Sequence, residues 1–410
     1  MEGLSLRIIY IDDFFHPDAG YQDNILSKYW VDFGHEVYIV TSEIAKIPEG
    51  LTKFFDCNEI EKKDRDFEQK YGVKIIRIPL ITYKSGRSIY SLKIFRIIKE
   101  INPDVVFVNG NDSLIGMQLT WKNRHRYKYA LVLDSHMLEM ASQNPLRHVF
   151  RMFYKHFLTP IIIKKKIPIV RTQDDDYVFR CLGIPIEQCP WISFGTDTIR
   201  FHPDEEQRKI FREKYRISED AFVVIYAGKL SENKGATLLA KATQMFYKAD
   251  REIIFVIVGN SEGEYGEYVE KELRKAVHRI IRFPTQKYEN LALFYQAADV
   301  AVYPKQCSLS FFDVQACGVP VIFENNNINI DRSKYGNAVT FHSEDLQSFT
   351  ERICAIANMD KTQYQCLKEN AITYINSNFK YKDKAKEYIK LFETVLNKNL
   401  KENRRNLANG

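Results

Sequence analysis

The chain has 410 residues, of which 45% are hydrophobic and 27% are charged, so its length and apolar content suit two folded domains. This composition excludes a single small module, a disordered chain and a coiled coil. The seven cysteines form no close Cys-x-x-Cys pair, so neither a disulfide framework nor a zinc site is predicted. No apolar run approaches the roughly 20 residues that a membrane span needs, and the candidate at residues 158–163 ends at three lysines. The first residues lack the order of a secretory signal. We therefore expect a cytoplasmic protein.

Short apolar runs alternate with helix-like stretches in the first half of the chain. A helix is predicted at residues 22–33, directly after the first strand. The predicted strands cover residues 6–12, 36–41, 74–78, 104–108, 130–134, 167–171 and 189–193. This alternation is typical of an α/β fold with a parallel, doubly wound sheet.

The same alternation restarts after residue 200. Further strands are predicted at residues 222–228, 253–259, 279–283, 300–303 and 319–323, and the chain from residue 346 onward has a helical pattern. We expect a first domain over residues 1–200, a second over 201–380 and a terminal helix over 381–410. Residues 382–403 are long enough to lie across both halves.

The first candidate site is a basic loop between a predicted strand and a predicted helix. Gly228 ends the strand, Lys229 and Lys234 follow, and a helix begins near Ala236. Free N–H groups at the start of a helix, together with two lysines, are suited to binding a diphosphate. Two solvated lysines in a surface turn would give the same sequence, so the loop alone leaves both interpretations open.

A second candidate is a short helix predicted to end at Gly318. Either Ser308 or Ser310 can cap its start, so Ser308, Leu309 and Ser310 would offer backbone N–H groups to a ligand. Asp313 lies one turn into this helix. Its carboxylate can accept hydrogen bonds from two neighbouring sugar hydroxyls, or it can merely complement the helix dipole.

The first half has polar residues where predicted strands end. His16, Asp18, Gly20 and Tyr21 follow the first strand, at the edge where open α/β sheets bind ligands. Gly20 would let the backbone approach a ligand closely.

Asp134 and His136 lie at the end of a later strand, on the same predicted edge. A neutral imidazole there can bind a hydroxyl or stabilise charge, although a histidine at a strand end is more often just a satisfied polar group.

Taken in order, these motifs resemble glycosyltransferase family 4, whose members are retaining sugar-nucleotide transferases of the GT-B fold. The resemblance covers nearly the whole chain and is carried by residues 17–20, 34–37, 195–203, 228–235 and 313–322. It implies two Rossmann-like domains facing a central cleft, with a C-terminal helix that crosses back to the first.

The resemblance also implies roles for the second-half residues. Lys229 and Lys234 would bind the donor diphosphate, with Gly228 beside them, and Asp313 would bind the donor ribose. Lys305 stands where the family has a glutamate that contacts the donor sugar, which is a reversal of charge. Residues near this position would then serve the sugar instead, namely Lys305, Gln306, Cys307, Ser308, Leu309 and Ser310.

In the first half, the resemblance makes His136 the histidine near the donor sugar, with Asp134 as a rival assignment. Gly20 stands where two adjacent glycines are common, and Tyr21 replaces the other. The acceptor side would include His16, Asp18, Tyr21 and Asp134. Lys229, Lys234 and the helix start would stabilise the leaving diphosphate, so neither a metal nor another cofactor is expected.

The net charge of +6 is unevenly distributed. Residues 83–99 and 140–166 are rich in basic and aromatic residues, and such helices can lie on an anionic leaflet. Ordinary amphipathic core helices with snorkelling lysines would give the same pattern. We expect a peripheral protein on the cytoplasmic face of the inner membrane that extends a lipid-linked saccharide in surface polysaccharide or glycolipid synthesis. No nucleic-acid-binding module accompanies the basic stretches.

Two alternatives remain open at this point. One is a nucleotide-sugar epimerase with the same fold. The other is a catalytically inactive GT-B scaffold that partners a transferase at the membrane. The lysine at position 305 in place of a glutamate, and the absence of a second glycine beside Gly20, favour this alternative.

Overall fold

The computed structural model describes residues 5–48, 52, 55, 57–84, 86–124, 129–137, 144–173, 176–305 and 309–408. The chain forms two compact units. The first comprises Met1–Phe194 with Tyr381–Gly410, and the second comprises Gly195–Lys380. The chain thus changes unit between Phe194 and Gly195, a little before residue 200, and the terminal helix belongs to the first unit.

The first unit contains a six-stranded parallel sheet in the order β3-β2-β1-β6-β7-β8 and a separate hairpin of β4 and β5. Its strands are β1 Arg7–Ile11, β2 Glu36–Ser42, β3 Lys74–Ile78, β4 Leu80–Lys84, β5 Arg87–Tyr90, β6 Val105–Val108, β7 Ala130–Ser135 and β8 Ile169–Arg171. Its helices are α1 Gln22–Asp32, α2 Ile60–Tyr71, α3 Lys93–Ile101, α4 Leu114–Lys122, α5 Arg147–Phe153, α6 Thr159–Lys165 and α7 Tyr177–Leu182. A π-helical turn, Tyr154–Leu158, joins α5 to α6.

The second unit repeats this topology with the strand order β11-β10-β9-β12-β13-β14. Its strands are β9 Phe222–Ala227, β10 Ile253–Val258, β11 Arg279–Phe283, β12 Val300–Tyr303, β13 Val321–Glu324 and β14 Ala338–Phe341. Its helices are α8 Glu205–Lys214, α9 Ala236–Ala242, α10 Gly263–Leu273, α11 Leu291–Gln296, α12 Ser310–Ala316, α13 Asn327–Arg332, α14 Leu346–Ala357 and α15 Lys361–Asn378. Both units therefore have the doubly wound order of a Rossmann-like sheet.

The last helix, α16 Tyr381–Ala408, packs on the first unit. The indole N–H of Trp30 donates to the carbonyl of Ala385 over 3.1 Å, and the Gln22 amide donates to the Tyr388 hydroxyl over 2.8 Å. The rings of Trp30 and Phe392 lie 5.3 Å apart in an edge-to-face arrangement. Buried aromatic contacts and two directed hydrogen bonds fix this helix against α1.

The predicted parallel α/β fold is confirmed, with three local differences. Residues 189–193 are not a strand, because only Trp191 makes an isolated bridge, to Arg171. The antiparallel hairpin β4–β5 was not predicted, and neither was β14, whose four residues Ala338–Phe341 are too short for a clear apolar period. In the described residues, no helix combines the length and apolar content that crossing a bilayer requires.

Candidate functional site

In both units the parallel strands bring their following loops to one edge of the sheet, which is where open α/β sheets bind ligands.

In the second unit, the loops after β9 and β10 lie in direct backbone contact. Gly228 donates its N–H to the carbonyl of Val258 over 2.9 Å, and Leu230 donates to Asn260 over 3.0 Å. Gly259 has φ +141°, and a Cβ atom at this position would lie 1.9 Å from the Gly228 carbonyl oxygen. Only glycine allows this approach. Sequence analysis missed Gly259, although a glycine directly after a buried strand is a signal that could have found it.

The basic loop carries Lys229 and Lys234. Lys229 Nζ lies 3.5 Å from a carboxylate oxygen of Glu262, which belongs to the loop after β10. Lys234 ends a short 3₁₀ turn, and Gly235 follows it with φ +72°. A Cβ on Gly235 would lie 2.9 Å from Pro304, so the segment around Lys234 packs directly on the loop after β12.

This packing brings Lys305 beside the basic loop. Lys305 Nζ donates to Glu344 over 2.7 Å, and its side chain is 36% exposed. The hydrogen bond to Glu344 and the negative charge of this carboxylate raise the pKa of Lys305, so the side chain is a persistent cation here. Gln306, Cys307 and Ser308 lie outside the described residues.

A cavity of about 470 Å³ lies beside Gly259 and is lined by Asn260, Ser261, Glu262 and Phe283, among others. Arg282 forms its polar floor, donating to the Gly259 carbonyl over 3.1 Å and to Glu270 over 2.7 Å. Its volume falls in the range of small-ligand sites. The cavity was not predicted, because its lining comes from loops distant in sequence.

Asp313 is nearly buried within the second unit, with 8% of its surface exposed. Its carboxyl accepts a short hydrogen bond from the Thr196 hydroxyl, and the Tyr288 side chain also bonds to it. Burial raises the pKa of Asp313 to about 8, although these hydrogen bonds oppose the shift. The carboxyl therefore already has partners inside the unit, and its contact with a donor ribose stays a prediction.

The predicted serine cap of α12 is wrong where the structure describes it. Leu309 is the N-cap residue and forms no side-chain cap, while the Ser310 hydroxyl lies 3.0 Å from the Tyr303 hydroxyl. Ser310 is drawn away from the backbone by this tyrosine, which belongs to β12.

In the first unit, His136 and Asp134 form a hydrogen-bonded pair at the end of β7. His136 Nε2 lies 2.9 Å from Asp134 Oδ2, while the other carboxylate oxygen accepts from the Gly110 N–H over 2.7 Å. Asp134 is fully buried, and His136 is 31% exposed. His136 is therefore the member that can reach a ligand, and Asp134 orients it. Asp134 is buried beneath His136, and its predicted place on the acceptor side stays a prediction.

The pair also determines the charge of the imidazole. Burial alone would lower the pKa of His136, but the adjacent Asp134 carboxylate and its hydrogen bond outweigh burial and raise the pKa above its ordinary value.

The other predicted acceptor-side residues differ in accessibility. His16 is fully buried, its Nδ1 accepts from the Asp18 N–H over 3.1 Å, and its ring stacks on Phe55 at 4.8 Å. The structure thus gives His16 a packing role, and its predicted place on the acceptor side stays a prediction. Asp18 lies 3.5 Å from Lys63, Gly20 is partly exposed, and Tyr21 is 51% exposed at the start of α1.

Sequence analysis missed a group of buried acids at this edge. Burial raises the pKa of Asp13 to about 7, although Arg87 lies 3.6 Å away and opposes the shift. Asp23 is 1% exposed, and burial raises its pKa well above its ordinary value. The charge of Asp12 also raises the pKa of both groups, so the fold brings Asp23 near the end of β1.

The two Rossmann-like sheets match solved structures of the GT-B class, as the resemblance implied. Anabaena HepE in complex with UDP-glucose superposes with a TM-score of 0.70 at 14% identity, covering 95% of this chain and 100% of that one. At this identity the likeness concerns the fold.

Residues 207–374, all in the second unit, match the family model of "Glycosyl transferases group 1", so the chain carries a glycosyltransferase group 1 domain. The chain is 26% identical over 208 residues to the lipopolysaccharide 1,2-N-acetylglucosaminetransferase of Salmonella typhimurium, covering 48% of this chain and 53% of that protein. It is 24% identical over 323 residues to the alpha-monoglucosyldiacylglycerol synthase of Acholeplasma laidlawii, covering 72% and 73%. The matches to the first three curated relatives span 53%, 38% and 38% of their lengths.

Proposed function

We propose that the protein is a retaining glycosyltransferase of family 4 that moves a sugar from a nucleotide-sugar donor to a saccharide acceptor, with the second unit binding the nucleotide. The observation that carries the proposal is the pair of interlocked loops after β9 and β10. They present Lys229 and Lys234 within the segment that matches the group 1 family model. UDP-glucose is the first donor to test, because the structural neighbour HepE binds it.

The chemistry assigned to the second unit is stabilisation of a leaving diphosphate. Negative charge grows on the diphosphate as the glycosidic bond breaks, so cations placed beside it bind the transition state more tightly than the ground state. Lys229 and Lys234 supply this charge without a metal ion. A phosphate oxygen of the leaving group takes the proton of the acceptor hydroxyl. The cavity beside Gly259 has room for the nucleoside.

The first unit is assigned the acceptor and the donor sugar, with His136 as the contact residue. The raised pKa of His136 keeps the imidazole protonated over a wider pH range, which suits a hydrogen bond donated to a sugar hydroxyl or to developing negative charge. We assign a lipid-linked saccharide as acceptor, in surface polysaccharide or glycolipid synthesis at the cytoplasmic face of the inner membrane. The names of the two curated relatives, a lipopolysaccharide transferase and a glycolipid synthase, support this class.

Lys234→Ala tests the proposal in a transfer assay with UDP-glucose and the other common nucleotide sugars. Removal of a group that stabilises transition-state charge lowers kcat by roughly 10²- to 10³-fold. Lys241→Ala is the matched control, because Lys241 is an exposed lysine of the neighbouring helix α9. Equal turnover of the wild type and Lys234→Ala would contradict the assignment. A folded protein that binds no nucleotide and turns over no donor would favour the scaffold alternative.

A further inference from the structure

An apolar groove of about 550 Å³ crosses the surface of the first unit. Three helical segments that are far apart in sequence line it. The lining includes Leu92, Phe95, Met117, Trp121, Phe153 and Phe157. Parts of both basic stretches, at residues 92–95 and 153–158, thus meet at one surface together with α4.

The same segments already supply the core, and Phe95 and Met117 of the groove pack against it, whereas other groove residues extend outward. Ile94, Tyr154 and Leu158 are at most 3% exposed and face the core. Leu92 is 76% exposed and Phe157 is 54% exposed. The alternative that these stretches are ordinary amphipathic core helices therefore holds only for the side chains that face the core. Large apolar side chains clustered in one exposed groove mark an interaction surface.

The charges around the groove are predominantly positive, and Glu100 of α3 is paired with Arg96 at 3.1 Å. Residues 92–99, 114–124 and 144–166 contain eleven lysines and arginines and no aspartate or glutamate. Lys122 lies over the Phe95 ring at 4.0 Å, and Arg124 lies over the Trp121 ring at 4.4 Å. These cations therefore flank the aromatic lining itself.

A second cavity, of about 470 Å³, lies on the other side of the helix formed by α5 and the π-helical turn. Its lining is cationic and includes His148, Arg151, Lys155, His156 and Arg180. One short helical segment thus presents aromatic side chains to the groove and basic side chains to this cavity. Arginine and lysine in such a pocket are suited to a phosphate group.

We propose that the groove and the cationic cavity together form a docking surface for a bilayer that contains anionic phospholipid. Phe153 and Phe157 insert among the acyl chains at the interface, and Arg151, Lys155 and Arg180 bind lipid phosphate. This deepens the proposed function, on which it rests, by giving the membrane partner a defined place on the first unit.

The charge pattern selects this occupant over other partners. Two copies of the chain that met through this surface would bring like charges together, which disfavours self-association. A nucleic acid would bind the cations but would leave the apolar groove unfilled. An anionic bilayer satisfies both parts, because its headgroups meet the cations while its acyl chains cover the aromatic residues.

The test is co-sedimentation of the purified full-length protein with vesicles of phosphatidylcholine alone or with about one third phosphatidylglycerol. We expect the protein to sediment with the anionic vesicles and to stay in solution with the neutral ones. Phe153→Ser combined with Phe157→Ser is expected to weaken the association at least tenfold. Phe246→Ser is the matched aromatic control, because Phe246 is 88% exposed in the second unit.

The cationic cavity is tested separately with Lys155→Gln combined with Arg180→Gln. Each neutralised charge is expected to weaken association with anionic vesicles about fivefold. Lys209→Gln is the control, because the Lys209 side chain is 67% exposed in the second unit. Absence of wild-type binding, or equal binding by the wild type and the aromatic double variant, would overturn the proposal. So would a dimer in light scattering that the aromatic variant dissociates, because the groove would then be a contact between copies.

A thermal shift with UDP separates this inference from the proposed function. If the double variants no longer sediment with anionic vesicles but UDP still raises their thermal midpoint as much as that of the wild type, both proposals stand. If the wild type responds to UDP and ignores the vesicles, only the docking surface is wrong. If it binds the vesicles without responding to any nucleotide, only the assigned activity is wrong.

Discussion

The two units share one strand order but carry opposite chemistry at the edge where their strands end. In the second unit this edge presents Lys229 and Lys234 on glycine-rich loops. In the first unit it holds buried carboxyls, among them Asp13 and Asp134, the second of which is bonded to His136. The shared topology determines where a site forms, and the local side chains determine which ligand charge it accepts.

This difference is consistent with separate binding roles for the two edges. The cationic edge complements a diphosphate, whereas the edge of the first unit, with its buried carboxyls of raised pKa, suits hydroxyl groups and a protonated imidazole. The following experiments act on one edge at a time, beginning with the largest expected effect.

Gly259→Ala tests the close approach of the two loops in the second unit. The new Cβ would lie 1.9 Å from the Gly228 carbonyl, so the loops must separate, and we expect a loss of about 3 kcal/mol in stability together with loss of nucleotide binding. Gly263→Ala is the control, because Gly263 also has positive φ but no atom lies within 4 Å of its Cβ position. It should cost only about 1 kcal/mol. Chemical denaturation measures the stability of each variant, and a UDP-binding assay measures its nucleotide affinity. Equal effects of the two substitutions would contradict the close contact between Gly259 and Gly228.

Asp134→Asn tests the pair in the first unit. Loss of the carboxylate is expected to lower the pKa of His136 and to reduce kcat by roughly 10²-fold. The fall of kcat that follows deprotonation of His136 should then occur at lower pH. NMR titration of the imidazole and a pH–rate profile measure this. Because the folded pKa is raised, the stability that the pair contributes is present below the unfolded pKa, about 6.5, and is lost as pH rises through the folded pKa.

Asp64→Asn is the control for this experiment. Asp64 is a largely buried carboxylate of the same unit that is paired with Arg77 over 2.6 Å. Asp64→Asn should change the stability of the protein and leave the pH dependence of kcat unchanged. An unchanged His136 titration in Asp134→Asn would contradict the assigned pairing.

Asp313→Asn is expected to change how the stability of the second unit depends on pH. Burial raises the pKa of Asp313 to about 8, whereas an unfolded aspartate titrates near 3.9. Between these values the unfolded state has released a proton that the folded state still holds, so stability falls by up to about 1.4 kcal/mol per pH unit as pH rises. The asparagine variant should lack this slope in urea unfolding between about pH 5 and pH 8. Parallel slopes in the two proteins would show that Asp313 is ionised in the folded state.

The sequence predicted the parts of the structure that depend on local pattern. Continuous apolar runs such as β1 and β10 gave the strands, and the restart near residue 200 gave the second sheet. The basic loop was predicted because its lysines directly follow a strand. His136 and Asp134 were treated as rival assignments, because two residues near the end of a strand need not face each other, and the structure joins them in one hydrogen bond.

The remaining features depend on contacts between distant residues. The groove joins Phe95, Trp121 and Phe157, whose separation in sequence hides their proximity. The burial of His16 depends on Phe55, which stacks on it from a later loop. The Gly228–Gly259 contact requires the register between β9 and β10, which composition does not encode.

The central claim is that the second unit binds a nucleoside diphosphate through its basic loop. The most direct test is the thermal midpoint of the purified protein with UDP, GDP, ADP and CMP, repeated on Lys234→Ala, because a ligand that binds only the folded state raises the midpoint. We predict a rise of a few degrees with one nucleoside diphosphate, UDP first, that is lost in Lys234→Ala and kept in Lys241→Ala. No rise with any nucleotide, or the same rise in Lys234→Ala, would contradict the claim.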